Sequence, residues 1–248
     1  MNASTAGRPV LLVHGAWHGP WCWNDWVHEL AERGYRPMTV TLPGHDTPGD
    51  DRRLWHRLGD YIDEVVGQLR FLGPETVVVG HSMGGLVTQR ALEQAPAHLA
   101  ILLASVPPLG VLGATVRTAR RAPLPFLRTN ATLSMYRLVA NPTLARDAFF
   151  TPDTEDPDVA RCAELLQNES YLAYLEMLAV RGRPRKGDTP VEVIAAERDA
   201  IFSVAEQKLL AFRYRTAVHV VPGAGHDLML GPWSGGTLEL VCELIDAS

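Results

Sequence analysis

The stretch VVVGHSMGGLVTQRAL, residues 77–92, decides the fold of this chain. Its three valines, Val77 to Val79, are β-branched and apolar, which predicts a buried strand. From Leu86 onward the apolar residues follow a helical period. Gly80 and Gly84 flank Ser82 at two residues on either side, so strand and helix can approach each other where a Cβ would clash. This is the G-x-S-x-G pattern, which predicts a sharp strand-to-helix turn with a strained serine at its apex and the hydroxyl pointing outward.

A serine hydroxyl is a poor nucleophile unless a base takes its proton and an acid orients that base. After a turn of this kind, the acid and the base are expected in the order Asp or Glu, then His. Asp199 follows the apolar run 191–195, and His226 follows the run 218–221 and a Pro-Gly-Ala-Gly turn. Open parallel sheets place their sites at the carboxyl ends of the strands. The sequence therefore predicts a catalytic triad of Ser82, Asp199 and His226.

Two backbone N–H groups are needed to stabilise the oxyanion that forms when such a serine attacks a carbonyl. One is predicted to come from Met83, the residue after the nucleophile. The other is predicted to come from Ala16, because the segment His14-Gly15-Ala16 follows the apolar run 10–13.

The segments HGAWHGPWCW (residues 14–23) and VPGAGHDLML (residues 221–230), together with the serine turn, resemble the α/β-hydrolase superfamily. Within it they are similar to the branch of plant methylesterases and hydroxynitrile lyases and to related bacterial serine esterases. The resemblance extends over nearly the whole chain after residue 8. It implies ester hydrolysis without a cofactor. The lyases of this branch carry a hydroxyl residue where this chain has Gly15 and a lysine where it has Asp227, so the resemblance disfavours cyanide chemistry.

The alternation of strand-like and helix-like segments predicts an α/β fold of about six parallel strands with helices on both faces. Residues 109–187 interrupt this alternation with helical patterns only, which predicts a helical lid. We therefore expect one part of the hydrolase core in residues 1–108, the lid in residues 109–187 and the second part of the core in residues 188–248. Shorter patterns predict a helix over residues 21–33, a helix from Leu54 to Leu72 and a fourth strand over residues 98–106. Helix N-caps are predicted at Asn141 and Asp156, each of which precedes a proline.

The lid is rich in apolar and aromatic residues, which predicts a binding pocket for apolar or aromatic groups. The alternative for every candidate lining residue is ordinary packing in the core. The candidates are Trp17, Trp23, Met135, Tyr136, Phe149, Phe150, Tyr174 and Met177.

Composition excludes several other classes of protein. The net charge of −5 gives no reason to expect a nucleic-acid partner. Three widely spaced cysteines form neither a disulfide framework nor a metal pattern. His14 and His18 lie in a glycine-containing loop without a third ligand, so we expect no metal. No signal peptide is visible, and prolines and glycines interrupt the longest apolar stretch, residues 99–116. The sequence thus predicts a cytoplasmic protein without an integral membrane segment, and leaves its oligomeric state open.

The function that these features favour is a carboxylesterase that cleaves a small apolar or aromatic ester through an acyl-enzyme. Three alternatives stay open: a thioesterase or acyltransferase with the same triad, a lyase-like enzyme, and a small-molecule receptor that keeps the fold. The arginine-rich segment 116–128 also has two interpretations, a solvated lid face or a region that attracts anionic substrates or surfaces.

Overall fold

A parallel sheet forms the centre of the molecule. The computed structural model describes residues 7–46, 55–180 and 188–248. Within these ranges six strands form one sheet in the order β2-β1-β3-β4-β5-β6, and every neighbouring pair is parallel. The strands are β1 (Pro9–Val13), β2 (Arg36–Thr39), β3 (Val77–His81), β4 (Leu99–Leu103), β5 (Val191–Ala196) and β6 (Val218–Val221).

Helices connect the strands and extend the fold between β4 and β5. Short 3-10 helices span Pro20–Trp23 and Met135–Leu138. The α-helices are α1 (Asn24–Glu32), α2 (Leu58–Leu72), α3 (Met83–Ala91), α4 (Leu112–Arg121), α5 (Pro123–Thr132), α6 (Pro142–Phe149), α7 (Asp156–Leu165), α8 (Tyr171–Ala179), α9 (Val204–Tyr214) and α10 (Ser234–Asp246).

Both faces of the sheet are buried, as expected for parallel strands whose crossover helices cover them. Alternate residues of each strand point to opposite faces. Val10 and Leu12 pack against α1 and α10 in one cluster, whereas Leu11 and Val13 pack against α2, α3 and α9 in the other. The predicted α/β fold with six parallel strands and helices on both faces is therefore confirmed.

The structure corrects several predicted boundaries. Strand β4 is shorter than residues 98–106, because Ala104 adopts a φ of +40° that leaves the extended conformation. The helix predicted over residues 21–33 begins as a 3-10 turn. Asn141 caps α6 as predicted, and its side chain accepts a hydrogen bond from the Leu144 N–H. Asp156, however, is the first residue of α7, and Glu155 precedes it as the N-cap.

The segment between β4 and β5 contains α4 to α8, and its described residues include no strand. Part of it forms a hydrophobic cluster of its own around α6 and α7. Leu54 and residues 181–187, which were assigned to a helix and to the lid, lie outside the described residues. Among the helices that the structure describes, none is both long and apolar enough to cross a membrane.

Candidate active site

Ser82 lies at a tight junction between β3 and α3. Its φ of +53° and ψ of −118° are unusual for a residue with a side chain, so the backbone is strained here. The structure explains why two glycines are needed. A Cβ on Gly84 would lie 2.3 Å from the carbonyl oxygen of His14, and a Cβ on Gly80 would lie 2.8 Å from the carbonyl oxygen of Gly84. Strand and helix therefore touch at the two positions where side chains are absent.

Three side chains from separate loops meet at this junction. The Nε2 atom of His226 lies 3.0 Å from Oγ of Ser82, and its Nδ1 atom lies 2.9 Å from Oδ2 of Asp199. The second carboxylate oxygen of Asp199 accepts hydrogen bonds from the N–H groups of Ile201 and Phe202, at 2.7 and 2.9 Å. These bonds fix the carboxylate, so Nδ1 of His226 carries the proton and Nε2 is free to accept one from the serine.

The environment of His226 adjusts its basicity. Burial lowers the pKa of His226, but the charge and the hydrogen bond of Asp199, together with the nearby charge of Asp227, outweigh burial and raise the pKa above its usual value. The imidazolium that would form during proton transfer is therefore stabilised.

The loop after β1 packs directly on Ser82. A Cβ on Gly15 would lie 3.0 Å from the Cβ of Ser82, so the loop after β1 approaches the serine closely at this glycine. Among the described residues, no backbone carbonyl accepts a hydrogen bond from the N–H of Ala16 or of Met83. Both residues line the cavity that contains Ser82. Two unpaired N–H donors next to the serine are what an oxyanion hole requires.

A second buried pair lies behind this site, and sequence reasoning did not identify it. Nε2 of His18 lies 3.0 Å from Oδ2 of Asp227, and Nδ1 of His18 lies 2.8 Å from the carbonyl oxygen of Ala16. Both ring nitrogens of His18 therefore lie within hydrogen-bond distance of an oxygen atom. Burial raises the pKa of Asp227, but the charge and hydrogen bond of His18 outweigh it and hold that pKa below its usual value. The pair thereby links the residue that follows His226 to the loop after β1.

His81, beside the nucleophile, has a different role from His226. Its Nε2 atom lies 3.1 Å from the carbonyl oxygen of His226, and its ring is fully buried. Burial and the neighbouring His226 lower the pKa of His81 to about 3. A neutral His81 therefore donates to the backbone of residue 226 and helps to hold that residue in place.

A cavity of about 610 Å³ opens from Ser82 under the helices between β4 and β5. Four of the predicted pocket residues line it, namely Trp17, Met135, Tyr174 and Met177. Apolar and small side chains complete most of the wall, which consists of Val106, Val111, Ala114, Thr115, Thr118, Phe126, Leu138, Ile201 and Phe202. The cavity thus suits an apolar or aromatic group of modest size.

Four other predicted pocket residues do not line this cavity, so their assignment is corrected. Trp23 is fully buried on the opposite face of the sheet, where its ring packs against Trp26. Phe149, Phe150 and Tyr136 belong to the hydrophobic cluster around α6 and α7. The ring of Phe149 stacks on that of His226 at 6.2 Å. It thus supports the catalytic loop from behind.

Glu169 is the one acidic residue among the described residues that line the cavity, and no pattern in the sequence indicates its position. Its carboxylate accepts hydrogen bonds from Tyr61 Oη at 2.8 Å, from the Ser170 N–H at 2.6 Å and from His45 Nε2 at 3.1 Å. Burial lowers the pKa of His45, but the Glu169 charge and hydrogen bond outweigh burial and raise that pKa. The buried Glu169 side chain therefore accepts hydrogen bonds from three separate groups.

The described residues contain two buried clusters whose ligand atoms lie within 4.8 Å of one another, His18-Cys162-Asp227 and His81-His226-Asp227. Asp227 belongs to both clusters, and one of its oxygens is already bonded to His18. The sequence-based expectation that the protein uses no metal stays a prediction.

Comparison with known proteins gives the same fold. Residues 10–233 match the model of the alpha/beta hydrolase family. A putative chloroplastic methylesterase 14 from Arabidopsis thaliana is 36% identical over 91 residues, which is 36% of this chain and 26% of that protein. This chain therefore matches only about a quarter of the length of that relative. Methylesterase 18 from the same plant is 21% identical over 236 residues, 88% of this chain and 89% of the relative.

Among solved structures, that of polyneuridine aldehyde esterase superposes with a TM-score of 0.70 at 20% identity. The superposition covers 97% of this chain and 99% of that chain. At this identity the likeness concerns the fold.

Proposed function

The chain belongs to the α/β hydrolase family, and we propose that within this family it is a serine carboxylesterase. The observation that carries the proposal is the pair of hydrogen bonds that joins Ser82 to His226 at 3.0 Å and His226 to Asp199 at 2.9 Å. Such a pair turns a hydroxyl into a nucleophile when a carbonyl carbon is held beside it.

The first half of the reaction forms an acyl-enzyme. His226 takes the proton of Ser82 as the hydroxyl oxygen attacks the ester carbonyl, and Asp199 stabilises the resulting imidazolium. The negative oxygen of the tetrahedral intermediate accepts hydrogen bonds from the N–H groups of Ala16 and Met83. Each such donor typically stabilises the transition state by about 3 kcal/mol. His226 then protonates the leaving alcohol as the carbon–oxygen bond of the ester breaks.

The second half releases the acid by the same route. A water molecule enters where the alcohol left, His226 removes its proton, and the resulting hydroxide attacks the acyl carbon. Collapse of the second tetrahedral intermediate returns the proton to Ser82. No cofactor takes part in these steps.

The cavity supports a small apolar or aromatic ester as substrate. Its described wall is mainly hydrocarbon, which favours an apolar or aromatic acyl group. Methylesterases are among the relatives, so methyl esters of apolar acids are candidate substrates. The helices that cover the cavity act as a lid that excludes water from the acyl group.

A lyase is a weaker alternative. An anionic leaving group such as cyanide needs a nearby cation, but the residue next to His226 is the carboxylate of Asp227. Thioester cleavage and acyl transfer use the same triad, so substrate competition has to distinguish them from ester hydrolysis.

The test is hydrolysis of p-nitrophenyl esters of rising acyl length by the wild-type protein and by Ser82→Ala. We expect turnover by the variant to fall about 10⁶-fold, because the nucleophile is lost while binding and the oxyanion donors remain. Thioesters and added alcohols in the same assay reveal whether the acyl group goes to water or to another acceptor.

Ser105→Ala is a matched control. Ser105 is fully buried near the end of β4, and its hydroxyl accepts a hydrogen bond from Gln89 rather than from the triad. We expect its turnover to stay within a few-fold of wild type. Near-normal hydrolysis by Ser82→Ala, or no hydrolysis of any ester by the folded wild type, would refute the proposed function.

A further inference from the structure

The outer surface of the lid has an unusual charge distribution. Residues 109–140 contain five arginines and no aspartate, glutamate or lysine, although the whole chain has a net charge of −5. Two of these arginines have partners in the structure. Arg117 pairs with Glu206, and Arg121 donates to the carbonyl oxygen of Asp147. Arg120, Arg128 and Arg137 are exposed and form no ion pair with any described residue.

The same surface exposes large apolar side chains. Leu112 and Val116 lie one helical turn apart on α4, in line with Arg120, and all three are exposed. On α5, Leu124 and Leu127 are 65% and 63% exposed, next to Arg128. Single exposed leucines are common on proteins, but contiguous apolar patches are not. Here two consecutive helices expose apolar side chains together with arginines that form no ion pair with any described residue.

The inner faces of these two helices belong to the candidate active site. Ala114, Thr115 and Thr118 of α4 and Phe126 of α5 line the cavity that contains Ser82. The helices that cover the cavity therefore present leucines and arginines to the outside.

We propose that this outer face of α4 and α5, together with Leu109 and Arg137, docks on an anionic lipid surface. Helices that bind such surfaces insert leucines into the headgroup boundary and place arginines against the lipid phosphates. Docking in this orientation brings the cavity roof to the membrane, where apolar molecules concentrate. The proposal concerns binding only and does not depend on the proposed esterase activity.

Charge disfavours a second copy of this chain as the occupant. A two-fold symmetric contact would place the same patch on both partners. The exposed arginines of the two copies would then face one another, and residues 109–140 contribute no carboxylate to separate them. Such like-charge contacts are unfavourable. An anionic lipid surface instead supplies the phosphate groups that the patch lacks.

The experiment measures flotation of the full-length protein with two kinds of vesicle, one of phosphatidylcholine alone and one of phosphatidylcholine mixed with phosphatidylglycerol. We expect binding to the anionic vesicles that weakens as salt is added. Arg120→Gln with Arg128→Gln should weaken binding about fivefold for each arginine. Replacing Leu112, Leu124 and Leu127 by serine should weaken it more than tenfold.

The matched control is the double variant Arg70→Gln, Phe71→Ser. Both residues are exposed at the carboxyl end of α2, the far end of that helix from Leu58, whose N–H donates to Glu176 of α8. This variant removes the same kinds of side chain elsewhere, so its vesicle binding should equal that of the wild type. All changed residues are exposed, and circular dichroism checks that each variant is folded.

Three results would overturn the proposal. The first is binding that is absent or equal for neutral and anionic vesicles. The second is unchanged binding in the leucine variant. The third is a wild-type dimer, detected by sedimentation velocity without lipid, that dissociates in the leucine variant while the wild type binds no vesicles. That result would assign the face to contacts between copies of the chain.

Discussion

Gly84→Ala tests how closely the fold and the candidate site depend on each other. An alanine Cβ at this position would lie 2.3 Å from the carbonyl oxygen of His14 and 2.5 Å from that of Val13. Ordinary contacts begin near 3.4 Å, so the start of α3 and the end of β1 must separate by about 1 Å. The obstacle is backbone and cannot rotate away.

Two consequences follow from this displacement. Overpacking of this kind costs about 1–3 kcal/mol, and the better helix propensity of alanine offsets about 1 kcal/mol of that cost. The movement also separates Met83, at the start of α3, from Ala16, two residues after His14. A misplacement of about 1 Å at a reacting centre can lower activity about 100-fold. We therefore expect net destabilisation of up to about 2 kcal/mol and a loss of kcat/KM of about 100-fold.

Urea denaturation measures the first effect and hydrolysis of a p-nitrophenyl ester measures the second. Gly67→Ala is the control, because Gly67 lies inside α2 and nothing surrounds its Cβ position within 4 Å. That variant should gain up to about 1 kcal/mol of stability and keep its activity. If Gly84→Ala were as stable and as active as Gly67→Ala, the proposed packing of the turn against the oxyanion loop would be wrong.

Three further predictions concern the site. His226 acts as a base only when it is neutral, and its pKa is raised. In a pH-rate profile, kcat/KM should therefore rise with pH through an inflection above about 6.5. Asp199→Asn should move that inflection to lower pH and reduce kcat about 10⁴-fold. Asp227→Asn should lower the free energy of unfolding by about 1–2 kcal/mol at neutral pH, because a neutral amide replaces the buried carboxylate that bonds His18 at 3.0 Å. Because the folded-state pKa of Asp227 is lowered, this contribution is lost as pH falls below about 3.9 and through the folded-state pKa. The difference in free energy of unfolding between variant and wild type should therefore shrink in acid. A difference that stays constant would contradict the pairing. Ala114→Phe should fill part of the cavity and raise KM for long acyl esters about tenfold, while KM for an acetate ester should change less. Equal effects on the two esters would argue against this cavity as the acyl site.

The candidate triad could be located from the sequence because local rules determine where its members lie. A strand of valines followed by closely spaced glycines forces the turn at Ser82, and Asp199 and His226 each follow a recognisable strand. Parallel strands bring their carboxyl ends to one edge, so residues far apart in the chain meet without further information.

The pocket could not be predicted in the same way. Which side of a lid helix faces the cavity depends on how the helices pack on one another, and hydrophobicity does not distinguish the cavity wall from the lid interior. Phe149 therefore packs behind His226, whereas Tyr174, from a similar pattern, lines the cavity. The pair of His18 and Asp227 joins positions 209 residues apart, which no periodicity indicates. The shortened β4 depends on one backbone angle at Ala104.

Covalent labelling with a fluorophosphonate tests the central claim most directly, since it reports whether Ser82 is a nucleophile activated by His226. Peptide mapping by mass spectrometry should place the adduct on Ser82 in the wild type. We expect the labelling rate of His226→Ala to fall by several orders of magnitude although the variant remains folded. An adduct on a different residue, or equally fast labelling of Ser82 without the imidazole, would contradict the account.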